Sequence, residues 1–316
     1  MRKLLHPTLW TGDIEKRWVA LLNGCGQTTC TGAKSFWHRM RRHRNGILME
    51  GVLYCRPECM QSSLAAHLTR LQEQPASPPP SNRIPLGLLM VARGKLSYNE
   101  VLAALEAQRR AGYGKIGEWI EKLGFASEGD VTAALAIQWG CPIASSLKTE
   151  AIGPPHQVPL ALLEAFHMWP QQYASSTNTL CLAFGERVDH GVLYAIEKML
   201  DCRTLPCVAG RKAIAEQLER RRAEPRPNEI IRFGPMQDPS EMARIAGSYI
   251  AKLGAEEVRL HRLGPYIWVR MRTRPVPVDV LFRLRSAQRY NHVPFRLMIP
   301  PPLERVENYW DSGAAE

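Results

Sequence analysis

Apolar residues between positions 85 and 138 recur at helical spacing, and the whole pattern occurs twice. Placing 85–108 over 115–138 aligns Gly87 with Gly117, Gly94 with Gly124, Ser97 with Ser127, Val101 with Val131, Ala104 with Ala134, Leu105 with Leu135 and Gln108 with Gln138. Leu86 and Ile116, Met90 and Ile120, and Glu100 and Asp130 are conservative matches. Each copy reads as a short apolar helix that stops at a glycine suited to a left-handed cap. A serine then opens a second helix, with an acidic residue three positions on: Ser97 with Glu100, Ser127 with Asp130. That is capping-box spacing. The second helix is expected to bury Val101, Leu102 and Leu105 in one copy and Val131, Ala134 and Leu135 in the other. Neither hairpin can bury its apolar face alone, so stacked copies predict a four-helix unit.

Beyond the repeat the periodicity is mixed. Residues 159–166, 190–200 and 213–222 read as helices. Thr179-Leu180-Cys181-Leu182-Ala183-Phe184 reads as a strand after the turn signal Ser175-Ser176-Thr177-Asn178, and 204–208 as a short strand. Further on, 240–253 reads as a helix with Ser240 as N-cap and Gly254 past its end. Residues 257–261 and 266–272 read as a hairpin, and 278–289 as a second helix. Two breaks punctuate the chain: the Pro/Ser-rich stretch 74–82, and Glu224-Pro225-Arg226-Pro227-Asn228. The expected organisation is a unit at 1–73, a linker at 74–82, a domain at 83–223, a small α+β domain at 228–300 and a tail at 301–316. The fold class is α+β multidomain. Tandem helical hairpins pack with a small α+β half-domain, beside a four-cysteine, zinc-ribbon-like N-terminal unit and the C-terminal α+β domain.

Composition narrows the class. The chain has 316 residues and 45% hydrophobic content, enough for several cores and too much for general disorder. It contains no apolar run of about 18 residues, so no membrane span is expected. The basic start, Met1-Arg2-Lys3-Leu4-Leu5, lacks the apolar length of a signal peptide, which predicts a cytoplasmic protein. Net charge is +11, and it is uneven. Residues 1–80 hold 11 Lys and Arg against 5 Asp and Glu, residues 81–200 hold 10 against 11, and residues 201–316 hold 20 against 14. The basic excess flanks the repeat, where it suits nucleic acid, an acidic partner, an anionic membrane surface or a merely solvated face.

Four of the eight cysteines cluster early, as Cys25, Cys30, Cys55 and Cys59. In a reducing compartment such spacing argues for metal before disulfide. Four thiolates in two close pairs suit a tetrahedral structural zinc. Cys55-Arg56-Pro57-Glu58-Cys59 resembles a zinc knuckle opening a helix over 63–72. Between the pairs lie Trp37 and the basic run His38-Arg39-Met40-Arg41-Arg42-His43-Arg44. A small unit with few large apolar side chains would gain from such a staple.

The order Leu86-Gly87, Gly94, Leu105, Gln108, then Ile116-Gly117, Gly124, Leu135, Gln138-Trp139-Gly140-Cys141-Pro142 resembles the N-terminal domain of bacterial type II secretion and type IV pilus assembly ATPases. The α+β segment through Arg222 is similar to the rest of that domain. The unit from 228, with its helix followed by Glu257-Val258-Arg259-Leu260 and Ile267-Trp268-Val269-Arg270, looks like the family's second N-terminal subdomain. The phosphate loop of the family's motor, Gly-x-x-x-x-Gly-Lys-Ser/Thr, does not occur in this sequence: Gly94-Lys95 precedes leucine and Gly114-Lys115 precedes isoleucine. No Gly-x-Ser-x-Gly elbow or His-Glu-x-x-His pair occurs either. The chain is therefore expected not to be an enzyme.

Some members of that family bind cyclic di-GMP through the paired motif. The resemblance implies a site built from Leu86, Gly87, Gln108, Lys115, Ile116, Gly117 and Gln138. Where the family opens each motif with arginine, this chain has Pro85 and Lys115, with Arg83 two residues upstream. The leading expectation is a non-catalytic regulatory or adaptor protein that binds a secretion or pilus component, such as a separate ATPase or an inner-membrane platform protein, and responds to cyclic di-GMP. A related reading is an ATPase fragment that assembles with a separate motor subunit. The alternative is a zinc-dependent nucleic-acid-binding protein using the run 38–44.

Overall fold

The computed structural model describes residues 25–28, 30, 46–74, 83–148, 152–153, 156–225, 228–232, 236 and 238–284. The repeat forms four helices. In chain order after the N-terminal helix α1 (Pro57–Glu73), they are α2 (Leu86–Ala92), α3 (Tyr98–Ala111), α4 (Ile116–Lys122) and α5 (Glu128–Trp139). Their ends follow the same chemistry in both copies. The amide of Gly94 donates to Val91 O and that of Lys95 to Met90 O; Gly124 and Phe125 do the same to Glu121 O and Ile120 O. This is the Schellman pairing, with Gly94 at φ 67° and Gly124 at φ 74°. Both capping boxes form, with Ser97 and Ser127 accepting from the amides of Glu100 and Asp130. Leu86, Met90, Val101, Ala104, Ile120, Val131 and Ala134 pack into one core. Leu102 and Leu105 do not join it as expected. They are 46% and 41% exposed, and Ala104 takes the buried place on α3. Leu105 lines the groove described below. The helices cross closely at the glycines: a Cβ on Gly87 would lie 2.8 Å from Val101 Cγ1, and one on Gly117 3.0 Å from Val131 Cγ1.

The α+β part follows as α6 (Leu160–Ala165), β3 (Met168–Ala174), β4 (Thr179–Phe184), α7 (His190–Leu200), β5 (Arg203–Val208) and α8 (Arg211–Ala223). The sheet order is β3-β4-β5, antiparallel then parallel. Leu162, Met168, Leu182, Phe184, Ile196 and Ile214 are among its buried core. Strand β3 was not evident in the sequence, where Pro170 interrupts it; a register shift between Pro170 and Gln172 accommodates the proline.

Among the described residues the remaining strands form one sheet that joins 47–54 to 229–283. They are β1 (Ile47–Met49), β2 (Val52–Tyr54), β6 (Glu229–Arg232), β7 (Glu257–Leu263), β8 (Tyr266–Arg272) and β9 (Val278–Arg283), ordered β2-β1-β7-β8-β9-β6. Strand β1 pairs in parallel with β7, matching Leu48 with Glu257 and Met49 with Val258. The expected division between unit 1–73 and unit 228–300 is thus not a division of structure. Met60, Leu64 and Leu68 of α1 share a core with Met242, Ala246 and Ile250 of α9 (Pro239–Leu253). The two segments thus close one core between them. Helix α9 is capped by Asp238, whose side chain accepts from Ser240 N, rather than by Ser240. The expected helix at 278–289 is instead strand β9 over its described part. Val280 and Phe282 face the α1/α9 core, while Leu281 faces the α+β core, a period of two.

The sheet therefore lies between α1/α9 on one side and the 83–223 part on the other. Trp268 and Leu281 enter the α+β core. Across this interface Arg259 donates to Lys198 O (3.0 Å), Leu160 N donates to Glu229 Oε2 (3.1 Å), and Lys198 pairs with Glu50 (2.9 Å). Among the described residues no helix is long and apolar enough to cross a membrane.

Candidate functional site

Two places gather chemistry. The first is the cysteine cluster at the rim of the six-stranded sheet. Cys55 directly follows β2, and Cys59 lies in the first turn of α1, which Pro57 starts without needing an amide donor. Cys25 and Cys30 belong to a segment pinned by Gly26 N donating to Leu53 O at 2.8 Å. All four Sγ atoms lie within 4.8 Å of one another. Sulfurs about 2.3 Å from a tetrahedral ion stand about 3.8 Å apart. Here Cys30–Cys55 is 3.5 Å, Cys55–Cys59 3.7 Å and Cys30–Cys59 3.8 Å. The four residues predicted as ligands are thus brought within reach of one metal ion. Burial, and then the crowding of neighbouring thiols, pushes Cys55 far up; burial raises Cys59 as well. A bound cation reverses that preference, because it stabilises thiolates. His38, His43 and the basic run around them lie outside the described residues.

The second place is a groove of about 530 Å³ between the repeats and the α+β half. Leu86, Gln108, Lys115, Ile116, Gly117 and Gln138, drawn from both motifs, line it. Gly87 does not; it sits buried at the α2–α3 crossing against Val101. Both motif glutamines are committed to backbone. Gln108 Nε2 donates to Gly114 O (2.8 Å) and Gln138 Nε2 to Ile84 O (2.7 Å). Arg83, on the strand-like approach to α2, donates to Gln138 O at 2.7 Å, and its guanidinium lies 3.9 Å from the Trp139 ring centroid. Such stacking favours arginine over lysine.

Sequence reasoning missed the opposite wall. Gly185, Glu186 and Arg187, from the β4–α7 loop, and Arg211, at the start of α8, line it. Glu186 is only 7% exposed. It pairs with Lys115 and lies 3.4 Å from Arg211 Nε, while Arg211 Nη1 pairs with Glu118 at 2.7 Å. Lys115 is pushed down to about 8, first by desolvation, then by Arg211 and Arg187, with Glu118 opposing. Its side chain is nevertheless 49% exposed and paired, so it is charged at neutral pH. Glu128 bridges the two halves, its Oε1 accepting from Lys212 N (2.7 Å) in the first turn of α8. No local periodicity marks these residues, because they come from loops far from the repeat in sequence.

No family model matches the chain, and no curated protein does. Solved structures similar to part of it include one of MshE with cdg, at 24% identity over 44% of this chain and 99% of that one, with TM-score 0.36. Another is the N-terminal domain of XpsE, at 22% identity over 43% of this chain and 92% of that one, with TM-score 0.35.

Proposed function

We propose that this protein is a non-catalytic regulatory or adaptor subunit of a secretion or pilus machine, with a structural zinc and a ligand-responsive groove. The observation that carries this reading is the convergence of both repeat motifs on one groove, where Lys115, Gln108 and Gln138 meet Arg83 and Trp139. Cyclic di-GMP is the ligand that the motif resemblance favours. Its guanine bases suit the Arg83–Trp139 shelf, and its phosphodiesters suit Lys115, Arg187 and Arg211. Zinc suits the all-thiolate set, and four protein ligands leave no coordination position for water, which supports a structural metal over a catalytic one.

Two measurements on the full chain test the reading. Calorimetric titration with cyclic di-GMP is expected to give a saturable heat, and silence at high micromolar ligand from both the wild type and Glu186→Gln would remove the dinucleotide from it. Affinity purification from the native host is expected to recover a secretion or pilus motor ATPase. Recovery of nucleic acid alone, with binding that falls steeply with salt, would favour a nucleic-acid-binding protein instead.

A further inference from the structure

Glu186 puts a buried negative charge in a groove whose lining carries Arg83, Lys115, Arg187 and Arg211 beside Glu118, Glu121 and Glu128. The β4–α7 loop carries it inward, with 7% of the residue exposed. Oε2 ion-pairs with Lys115, the cation of the second motif. Oε1 is buried without a hydrogen-bond partner, 3.4 Å from Arg211 Nε. The other basic groups on the walls are engaged too. Arg211 Nη1 holds Glu118 at 2.7 Å, Arg187 holds Asp189 at 2.7 Å, and Arg83 donates to Gln138 O. A phosphate arriving where Lys115 and Arg211 converge would meet a carboxylate already there. At the low effective dielectric of such a site, like charges at contact distance repel strongly.

We infer that Glu186 occupies the anion position of this groove, its tethered carboxylate serving Lys115 and Arg211 as a ligand phosphodiester would. The inference rests on the groove being the ligand site proposed above. The groove is then held ion-paired without ligand, and a phosphodiester binds only by displacing Glu186. Specificity here includes a repulsive element as well as attractive ones.

The test is calorimetric titration of cyclic di-GMP into the full-length wild type, Glu186→Gln and Glu186→Gln/Lys115→Gln. Glu186→Gln keeps the side-chain shape, removes the charge, releases Lys115 from its ion pair and leaves Arg211 with Glu118 alone. It is expected to bind at least about tenfold more tightly than the wild type, or to bind where the wild type is silent. The double variant should lose that gain. Glu186→Asp, which withdraws the carboxylate by one methylene, should shift affinity in the same direction and carries the test should Glu186→Gln fold poorly. If the wild type binds and Glu186→Gln binds no more tightly, the inference is overturned while the groove remains a ligand site. If none of the variants binds, both fall.

Discussion

Arg270 and Asp279 stand directly opposite each other on β8 and β9, with Arg270 Nη1 2.9 Å from Oδ2 and 3.0 Å from Oδ1. Each side chain is 7% exposed. Asp279 Oδ1 also accepts from Trp268 Nε1 at 2.7 Å, and Arg270 reaches Gln157 O at 3.2 Å. Burial pushes the Asp279 carboxyl up, while Arg270 and Trp268 pull it back down. Asp279→Ala would leave the buried Arg270 without its counter-charge and the Trp268 indole N–H without its carboxylate acceptor. The expected loss is about 3–5 kcal/mol in urea unfolding, the range for breaking one side of a buried pair. A loss under about 1 kcal/mol would place the pair with surface bridges.

The cysteine cluster connects to the fold through β1, which extends the central sheet beside β7. Elemental analysis of the purified chain is expected to give about one zinc per molecule, as a single four-ligand site requires. Cys55→Ser or Cys59→Ser should lose the metal and lower Tm by several degrees, since about 1 kcal/mol moves Tm by about 2–4 °C in a chain of this size. Strong chelators should lower the wild-type Tm by the same amount and leave the cysteine variants unmoved.

Gly87→Ala sets two effects against each other. Alanine gains about 1 kcal/mol of helix propensity over glycine. Its Cβ would lie 2.8 Å from Val101 Cγ1, and overpacking of that kind costs about 1–3 kcal/mol. The variant should therefore be neutral to destabilised by about 2 kcal/mol. In a Val101→Ala background the clash is gone and Gly87→Ala should become stabilising. Chemical denaturation of the four-member cycle reads the coupling directly.

The second capping box should titrate. The ion pair with Lys95 and the hydrogen bonds of Ser127 lower the Asp130 carboxyl to about 2. Because its folded value lies below the unfolded value near 3.8, its contribution is present above about pH 4 and is lost as pH falls toward 2. A carboxyl NMR titration should show Asp130 still ionised at pH 3. Asp130→Asn should flatten that part of the stability profile, and an ordinary midpoint near 4 would contradict the assignment.

Local rules were legible wherever one stretch of chain supplies its own partners. Ser97 with Glu100, Ser127 with Asp130, and the glycines at 94 and 124 state their role within five residues, because a cap is satisfied by its own helix. The cysteines were legible as a cluster, and their four sulfurs lie within reach of one metal ion. The site from Leu86 to Gln138 was implied by the family resemblance, and its residues other than Gly87 line one groove. Residues 278–283 misled, because Val-Asp-Val-Leu-Phe-Arg fits helical and strand spacing over so short a run. Leu102 and Leu105 misled: Ala104 takes the buried place on α3, and Leu105 lines the groove.

What decided the rest was contact between segments far apart in sequence. Pairing of β1 with β7 and the shared core of α1 and α9 merged two apparent domains. The groove's second wall comes from the β4–α7 loop and the start of α8, where Glu186 and Arg211 look like ordinary surface charges in the sequence. Their burial and pairing exist only once the half-domain docks on the repeats. The chain's pattern thus specified the elements and their caps. Docking set which charges meet in the groove, because electrostatic strength depends on distance and desolvation, and neither is encoded locally.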